Sequence, residues 1–354
     1  MPPDDDSLKC AAPTAEACRV APGHAAENEV AAGAVLSLDQ AGACGERLRE
    51  NLAKALRGKP EVVQRTTETL VAGGHLLLED VPGVGKTTLA HALARSIAGE
   101  FRRVQFTSDL LPGDLIGAAM PELRAGQATG RFEFQPGPLF AHVVLADEIN
   151  RASPKLQSAL LEAMAERAVT VDGVTHKLPR PFLVVATQNP LDHHGTHPLP
   201  ESQLDRFLVR RSIGYPEAED EAAVLRDDPA ESALPTLEPV LTRAEVLGMQ
   251  ALAARIKFDD KLVAYLLAIV KRTREHEGLA VGVSPRGGIA LRRAAQARAL
   301  LDGRDYCIPE DVRDLAVDVL AHRVLLAVRG PDSRGDGESA WILREILDQT
   351  DVPL

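Results

Sequence analysis

Apolar residues along the chain follow two different periods, and each period predicts a different kind of element. Before about residue 215, short apolar runs bounded by turn residues read HLLLED, VQF, AHVVLADE and PFLVVATQN. Helical periodicity separates these runs and also covers residues 42–56 and 62–71. Short apolar strands alternating with helices are typical of a parallel sheet buried on both faces, which binds ligands at the carboxyl ends of its strands.

The pattern changes after residue 215, and from Thr242 onward it predicts only helices. Ser284 before Pro285, and Pro309 before two acidic residues, are helix start signals. Residues 227–239 and 330–340 are polar and predict exposed loops. The fold class is therefore predicted as α/β, with a core over residues 37–216 and a small all-α domain over residues 217–354.

The first 36 residues are rich in Ala, Pro, Glu and Asp without a sustained period, which predicts a disordered tail. The start MPPDDDSLK is not expected to be a secretory signal, and the apolar run at 262–270 is too short to span a bilayer. The four cysteines form no Cys-x-x-Cys pair. These features predict a cytoplasmic protein, and the net charge of −11 disfavours non-specific nucleic-acid binding.

The stretch LLLEDVPGVGKTTLAHAL, residues 76–93, predicts a phosphate-binding loop between a strand and a helix. Lys86 is expected to reach the outer phosphates of ATP, and the Thr87 hydroxyl to ligate Mg²⁺. Asp80 stands where the strict pattern has its first glycine. We expect this replacement to cost little, because Asp tolerates a positive φ and a second turn follows. The residues predicted to contact the nucleotide here are Gly83, Val84, Gly85, Lys86, Thr87 and Thr88.

Two adjacent carboxylates end the run HVVLADEIN, residues 142–150. Asp147 is predicted to hold Mg²⁺ through its water shell. Glu148 is predicted to polarise an attacking water as general base. A phosphate-binding loop and a carboxylate pair, each at the end of a strand, together predict ATP hydrolysis.

Four segments, LEDVPGVGKT, DEINRASPKLQSALLEAM, ATQNP and PLPESQLDRF, together resemble the MoxR-type AAA+ ATPases. The resemblance runs from about residue 57 to residue 326. It implies an AAA+ core followed by a helical lid, and homo-oligomeric rings, usually hexamers, with ATP bound at each subunit boundary.

The resemblance also implies roles for individual residues. Asn189 corresponds by position to the polar sensor near the γ-phosphate, and Arg206 to the arginine finger that reaches a neighbour's phosphate. Arg286 resembles the second sensor, which touches the nucleotide. Gly58 and Lys59 occupy the region that contacts adenine in such proteins.

Two insertions are predicted within the core. Residues 107–140 resemble the helix insert of one branch of AAA+ proteins, and in sequence terms alone they read as an exposed loop. Residues 166–179 read as a hairpin, because Asp172-Gly173 lies between alternating β-formers. In the family, similar insertions face the ring axis and act on a client protein. The nearby histidines, His193, His194 and His197, favour a solvated polar loop over a metal site.

Three functions are compatible with these residues. The first is an ATP-driven, chaperone-like machine that remodels or activates other proteins, often metalloenzymes; the resemblance implies partners with von Willebrand factor A domains. The second is a nucleic-acid-linked motor or a metal-chelatase-type ATPase subunit, and the third a nucleotide-gated binding module with negligible turnover. The acidic balance and an aromatic content of 3% weigh against the motor. Glu148 weighs against the binding module, which needs no general base.

Overall fold

A computed structural model describes residues 33–124, 127–189, 196–327 and 335–352. The strands are β1 (Leu76–Glu79), β2 (Phe101–Gln105), β3 (Gly117–Arg124), β4 (Gln127–Pro136), β5 (Val143–Asp147), β6 (Ala168–Val171), β7 (Val174–Lys177), β8 (Leu183–Gln188), β9 (Val209–Arg211), β10 (Leu279–Val281) and β11 (Leu325–Leu326).

The helices are α1 (Leu38–Ala55), α2 (Pro60–Val71), α3 (Lys86–Ser96), α4 (Pro112–Ile116), α5 (Pro154–Glu166), α6 (Glu201–Leu204), α7 (Ala218–Asp227), α8 (Arg243–Ala253), α9 (Asp260–Glu275), α10 (Pro285–Leu301), α11 (Pro309–Leu320) and α12 (Gly335–Gln349). Short 3₁₀ turns cover Ile149–Arg151, Leu234–Thr236 and Ala321–Arg323. Among the described residues, no helix combines the length and the apolar character that crossing a membrane requires.

Five parallel strands form the central sheet in the order β2-β5-β8-β1-β9. Along β1, Leu76 and Leu78 pack into one apolar cluster with the helix α3, and Leu77 packs into a second cluster with Phe106 and the helix α5. Successive strand side chains point to opposite faces, so both faces of the sheet are covered. This confirms the buried parallel sheet predicted from the apolar runs. The pattern did not predict β9, whose sequence VRR has no apolar run.

The two insertions differ in how well the sequence predicted them. The hairpin over residues 166–179 is present as β6 and β7, and its turn residues Asp172 and Gly173 have φ angles of 49° and 80°. The helix insert predicted over residues 107–140 contains α4 and the antiparallel pair β3–β4, so only its reading as an exposed loop is wrong for most of its length. His176 stacks on Phe134 with ring centroids 3.8 Å apart, so the two hairpins contact each other.

The lid contains one short antiparallel pair, β10–β11, in addition to the predicted helices. Its helices begin as predicted: the Ser284 hydroxyl accepts a hydrogen bond from Gly287 N in the first turn of α10, and α11 begins at Pro309. The loop predicted at 330–340 is wrong for residues 335–340, which begin α12; the apolar side chains of Ile342 and Ile346 bury that helix.

The tail predicted over residues 1–36 falls mostly outside the described residues. The described part begins at residue 33, and there Ala34 N donates a hydrogen bond to Ala244 O at 2.8 Å. A Cβ on Gly33 would lie 2.9 Å from Gly248 N in α8. Ordered contacts therefore begin a few residues before the predicted boundary at 36.

Candidate nucleotide-binding site

The loop between β1 and α3 has the backbone of a phosphate cradle. Gly83 and Gly85 have φ angles of 88° and 98°, a region that favours glycine. A Cβ on Gly83 would meet no atom within 4 Å, so the loop is open at that point. Gly85 precedes α3 as its N-cap and has no side chain to bond the first N–H groups of the helix. Those groups can therefore bind an anion.

Asp80 does not perform the role expected of it. It has no positive φ, and its carboxylate is buried, with 8% of the residue exposed. Oδ2 accepts hydrogen bonds from Ser212 Oγ at 3.0 Å, from Gly214 N at 3.1 Å and from Ile213 N. The residue in place of the first glycine thus anchors the segment after β9 to the phosphate-binding loop.

Lys86 lies over the loop that it terminates. Its Nζ donates to Asp80 O at 2.6 Å and to Val81 O at 3.1 Å. Burial lowers the pKa of its ammonium below the usual value, while the carboxylates of Asp80, Asp147 and Glu148 oppose that shift. When nucleotide binds, a phosphate oxygen would replace the carbonyls of Asp80 and Val81 as acceptor for the ammonium.

Asp147, at the end of β5, is held by partners from both neighbouring strands. Its Oδ1 accepts a hydrogen bond from Thr187 Oγ1 at 2.6 Å, and its Oδ2 accepts from Arg103 Nη2 at 2.6 Å and Nε at 3.2 Å. Thr187 is 1% exposed, whereas the Arg103 side chain is 50% exposed. One face of the carboxylate is therefore fixed in the interior, and the other faces an arginine that can move.

Glu148 has a φ of 57°, and a left-handed conformation at a residue other than glycine costs about 1–3 kcal/mol. Its N–H donates to Thr187 Oγ1 at 2.9 Å. Its Oε2 accepts hydrogen bonds from Gln105 Nε2 at 2.9 Å and from Arg151 Nη1 at 3.1 Å. The two carboxylates therefore have different partners: Asp147 bonds Thr187 and Arg103, whereas Glu148 bonds Gln105 and Arg151.

These groups line one pocket of about 320 Å³. It brings together eight of the predicted site residues, and three further residues complete its wall. The predicted residues are Gly83, Gly85, Lys86, Thr87, Thr88, Asp147, Glu148 and Asn189; the others are Pro82, Arg103 and Gln105. Of the loop residues predicted to contact the nucleotide, the Val84 side chain instead packs against the apolar core.

Four other predicted site residues lie outside this pocket. A Cβ on Gly58, whose φ is 67°, would lie 2.2 Å from Asp220 Oδ2, so the glycine permits a close approach to α7. Lys59 Nζ donates to Tyr215 O at 2.6 Å. The structure thus uses Gly58 and Lys59 to hold the start of α2 against the segment that leads to the lid.

The two predicted arginines, Arg206 and Arg286, also lie outside the pocket. Arg206 Nη1 donates to Leu161 O, in the second half of α5, at 2.8 Å. Arg286 Nε lies 3.5 Å from Asp205 Oδ2. The predicted role of Arg286 is a contact with the nucleotide. In this structure Arg286 does not reach the nucleotide pocket of its own chain.

Comparison with known proteins places this geometry in a family. Residues 75–209 match the model of the ATPase family associated with various cellular activities (AAA), and residues 271–346 match that of the AAA lid domain. The Bacillus subtilis protein YeaC is 47% identical over 306 residues, which are 86% of this chain and 93% of YeaC. Chaperone MoxR1 of Mycobacterium tuberculosis is 41% identical over 290 residues, which are 79% of this chain and 75% of MoxR1.

The chain belongs to the MoxR-type AAA+ ATPases. As a member of this family it hydrolyses ATP, which confirms the activity predicted from the phosphate-binding loop and the carboxylate pair. A solved structure agrees: a candidate ATPase from Cytophaga hutchinsonii has a TM-score of 0.79 at 34% identity, covering 90% of this chain and 97% of that chain.

The residues of this MoxR-type pocket fit a magnesium–triphosphate complex. Thr87 and Asp147 supply a hydroxyl and a carboxylate, which are the hard oxygen ligands that Mg²⁺ prefers. Two protein oxygens are enough for Mg²⁺, because this ion keeps several waters and takes other ligands from phosphates.

The histidine-rich loop stays only partly described. His193 and His194 lie outside the described residues. His197 N donates to Asn150 O at 2.6 Å, and Gln157 Nε2 donates to His197 O at 2.9 Å, so the backbone at His197 is anchored beside the 3₁₀ turn that follows β5.

Sequence reasoning missed three residues of the MoxR-type site: Thr187, Arg103 and Gln105. Thr187 lies in the predicted strand PFLVVATQN, two residues before Asn189, and the apolar pattern predicts only a strand residue there. Arg103 and Gln105 alternate on β2, so they share one face of the sheet. The sequence does indicate these two residues, because polar residues at the carboxyl end of a parallel strand lie beside the ends of the neighbouring strands.

Proposed function

We propose that this MoxR-type ATPase assembles into a hexameric ring and binds Mg²⁺-ATP at each subunit boundary. Hydrolysis there drives the remodelling or activation of partner proteins, in the manner of a chaperone. We place this work in the cytoplasm, because Cys44 and Cys307 are free thiols, as expected in a reducing compartment.

The position of Arg206 carries the proposal of a shared pocket. Among the described residues, the charged donors that line the pocket of the chain itself are Lys86 and Arg103, and Arg103 is engaged by Asp147. Arg206 contacts Leu161 O in α5 and lies outside that pocket. A guanidinium supplied by a neighbour would stabilise the charge that develops on the transferred phosphoryl group.

Each residue then has a distinct role at the boundary. Glu148 acts as general base on the attacking water, Asn189 orients that water, and Lys86 binds the outer phosphates. Arg206 of one subunit reaches the phosphates held by the next. Arg286 pairs with Asp205, the residue directly before Arg206.

The hairpins β3–β4 and β6–β7 are the proposed contact with a client. Phe132 and Met120 are 70% and 53% exposed, and Val174 in the second hairpin is 44% exposed. Large exposed apolar side chains are candidates for a contact with another protein. The name of Mycobacterium tuberculosis MoxR1 describes that relative as a chaperone. We infer a protein client here, with a von Willebrand factor A domain protein as partner.

Mixing of two inactive variants tests the shared pocket. Arg206→Ala subunits keep the base, and Glu148→Gln subunits keep the finger, so mixed rings should regain part of the ATPase activity. The matched control replaces Arg206→Ala by Arg255→Ala, since Arg255 is exposed on the lid. That variant alone should keep wild-type activity. A mixture of Arg206→Ala and Glu148→Gln that stays inactive at every ratio contradicts a pocket shared between subunits.

A substrate trap tests the protein client. Glu148→Gln with ATP should retain client proteins from a lysate, and the purified client should then stimulate the wild-type ATPase. Adding Phe132→Ser to the trap should reduce retention, whereas Leu225→Ser, which alters another exposed apolar residue, should not. Strong stimulation by DNA that falls steeply with salt, in place of stimulation by protein, would favour the motor instead.

A further inference from the structure

A buried arginine of the lid holds the segment that contains Arg206. Arg323, in the 3₁₀ turn after α11, has a side chain that is 2% exposed. Its Nε donates to Asp205 Oδ1 at 2.7 Å, and its Nη2 donates to Asp205 O at 3.3 Å. Its Nη1 donates to Leu208 O at 3.2 Å, and the guanidinium also bonds Phe207 O and Val319 O.

All but one of these acceptors belong to residues 205–208, on either side of Arg206. A guanidinium has five N–H donors in one plane, so it fixes several acceptors relative to each other. Burial lowers the pKa of Arg323 to about 10, and the group therefore stays charged at neutral pH. A buried charge is tolerated only when it is paired and hydrogen-bonded, so this contact is not easily exchanged.

A second lid residue reaches the same carboxylate. Arg286, at the start of α10, lies 3.5 Å from Asp205 Oδ2 through its Nε. Two separate lid elements thus meet at the residue directly before Arg206. We call Asp205, Arg286, Arg323 and the backbone of residues 205–208 the Asp205 cluster.

We propose that Arg323, through Asp205, is a positioning residue that sets where Arg206 is presented to the neighbouring subunit's pocket. This inference rests on the proposed function, in which Arg206 acts in trans. Movement of the lid then moves the finger, because the lid donors and the finger segment form one hydrogen-bonded unit. ATP hydrolysis in one subunit is thereby made sensitive to the lid of the subunit beside it.

The test uses Arg323→Lys, which keeps the charge and loses the planar fork. Displacing a catalytic group by about 1 Å can cost roughly 100-fold in rate, so we expect kcat to fall about 10- to 100-fold. The KM for ATP should stay within about twofold, since Arg323 lies outside the pocket of its own chain. Asp205→Asn, which keeps the shape of the acceptor, should give a smaller loss of the same kind.

Subunit mixing separates positioning from a merely structural role. Arg323→Lys subunits keep a complete pocket of their own, so Glu148→Gln subunits should restore hydrolysis by supplying a correctly placed finger. The matched control is Arg304→Lys. Arg304 is a lid arginine that bonds both oxygens of the buried Asp311 at 2.7 Å and does not contact residues 205–208. Arg304→Lys should lower the melting temperature, and mixing with Glu148→Gln subunits should restore no kcat beyond that of Arg304→Lys alone.

The outcomes distinguish this inference from the proposed function. Recovery in the Arg323→Lys mixture, with KM unchanged, supports it. If the Arg206→Ala mixture recovers and the Arg323→Lys and Asp205→Asn mixtures do not, the positioning role is overturned while the shared pocket stands. An unchanged kcat in both variants also overturns it. If the Arg206→Ala mixture itself fails, both proposals fall together.

Discussion

The nucleotide pocket and the Asp205 cluster both pair arginines with aspartates, but they differ in exposure. In the pocket, the Arg103 side chain is 50% exposed and bonds Asp147. In the cluster, the Arg323 side chain is 2% exposed and bonds Asp205. Exposed ion pairs contribute about 0.2–1 kcal/mol, whereas removing one partner of a buried pair costs about 3–5 kcal/mol.

The difference matches what each region has to do. Under the proposed function, Asp147 exchanges partners when Mg²⁺ and nucleotide arrive, so a weak and solvated counter-ion suits it. Under our proposal, Asp205 keeps the finger segment attached to the lid throughout the cycle, so a strong and buried counter-ion suits it. Similar residue types thus serve exchange in one region and fixed positioning in the other.

The largest expected effects are in the pocket. Lys86→Ala should abolish detectable ATP binding, because it removes the cation that reaches the outer phosphates. Glu148→Gln should keep binding and lower kcat by roughly 10²- to 10⁴-fold, the usual contribution of a general base. Binding of a fluorescent ATP analogue and steady-state turnover measure the two quantities. Equal turnover in wild type and Glu148→Gln contradicts the base assignment.

Acid should destabilise the fold through two buried histidines, one of which contacts the Asp205 cluster. Burial lowers the pKa of His75 to about 4 and that of His322, in contact with Arg323, well below its usual value. Each imidazole is neutral when folded, and the unfolded chain binds more protons below about pH 6.5. The stability that the neutral imidazoles contribute is therefore fully present above pH 6.5 and is lost as the pH falls towards 4.

For His75 the free energy of unfolding should fall by about 3 kcal/mol between pH 7 and pH 4, because burial lowers the pKa by about 2.5. Urea unfolding of the wild type and of His75→Gln at pH 7 and pH 4.5 measures it. The variant should be less stable at pH 7 and less sensitive to acid. Equal pH dependence in both proteins contradicts a neutral, buried His75.

Thr187→Val should lower kcat by about tenfold. The change removes the hydroxyl that donates to Asp147 and accepts from Glu148 N, and hydrogen bonds to charged groups contribute about 1.5–3 kcal/mol. Thr66→Val is the matched control, since Thr66 is equally buried but its hydroxyl bonds Val62 O in α2. Both variants should lose stability. If both also lose turnover equally, Thr187 has no special role at the site.

The smallest effect is expected for Arg103→Gln. Removing the guanidinium frees Asp147 Oδ2, so the Mg²⁺ concentration that gives half-maximal ATPase activity should fall about two- to fivefold, the equivalent of an exposed ion pair. Arg102→Gln is the control, because Arg102 pairs with Glu100 away from the pocket. A higher Mg²⁺ requirement in Arg103→Gln would show that Arg103 assists the metal instead of competing with it.

Much of the fold and the centre of the site could be predicted from the sequence. Strand runs, the phosphate-binding loop and the pair Asp147–Glu148 are encoded in short segments. There, local periodicity and turn chemistry determine the structure, and strands ending at one edge of a sheet necessarily bring their last residues together. The hairpin at Asp172-Gly173 was predictable for the same local reason.

Contacts between distant residues were decided only by the tertiary structure. Asp80 was expected to turn the chain and instead binds residues 212–214, more than 130 positions away. The β3–β4 pair, the strand β9 and the bridging role of Thr187 depend likewise on partners that no local pattern identifies. Arg323 and Asp205 lie 118 positions apart. Local sequence specifies which groups can react, whereas packing specifies which groups meet, because burial and pairing depend on the whole chain.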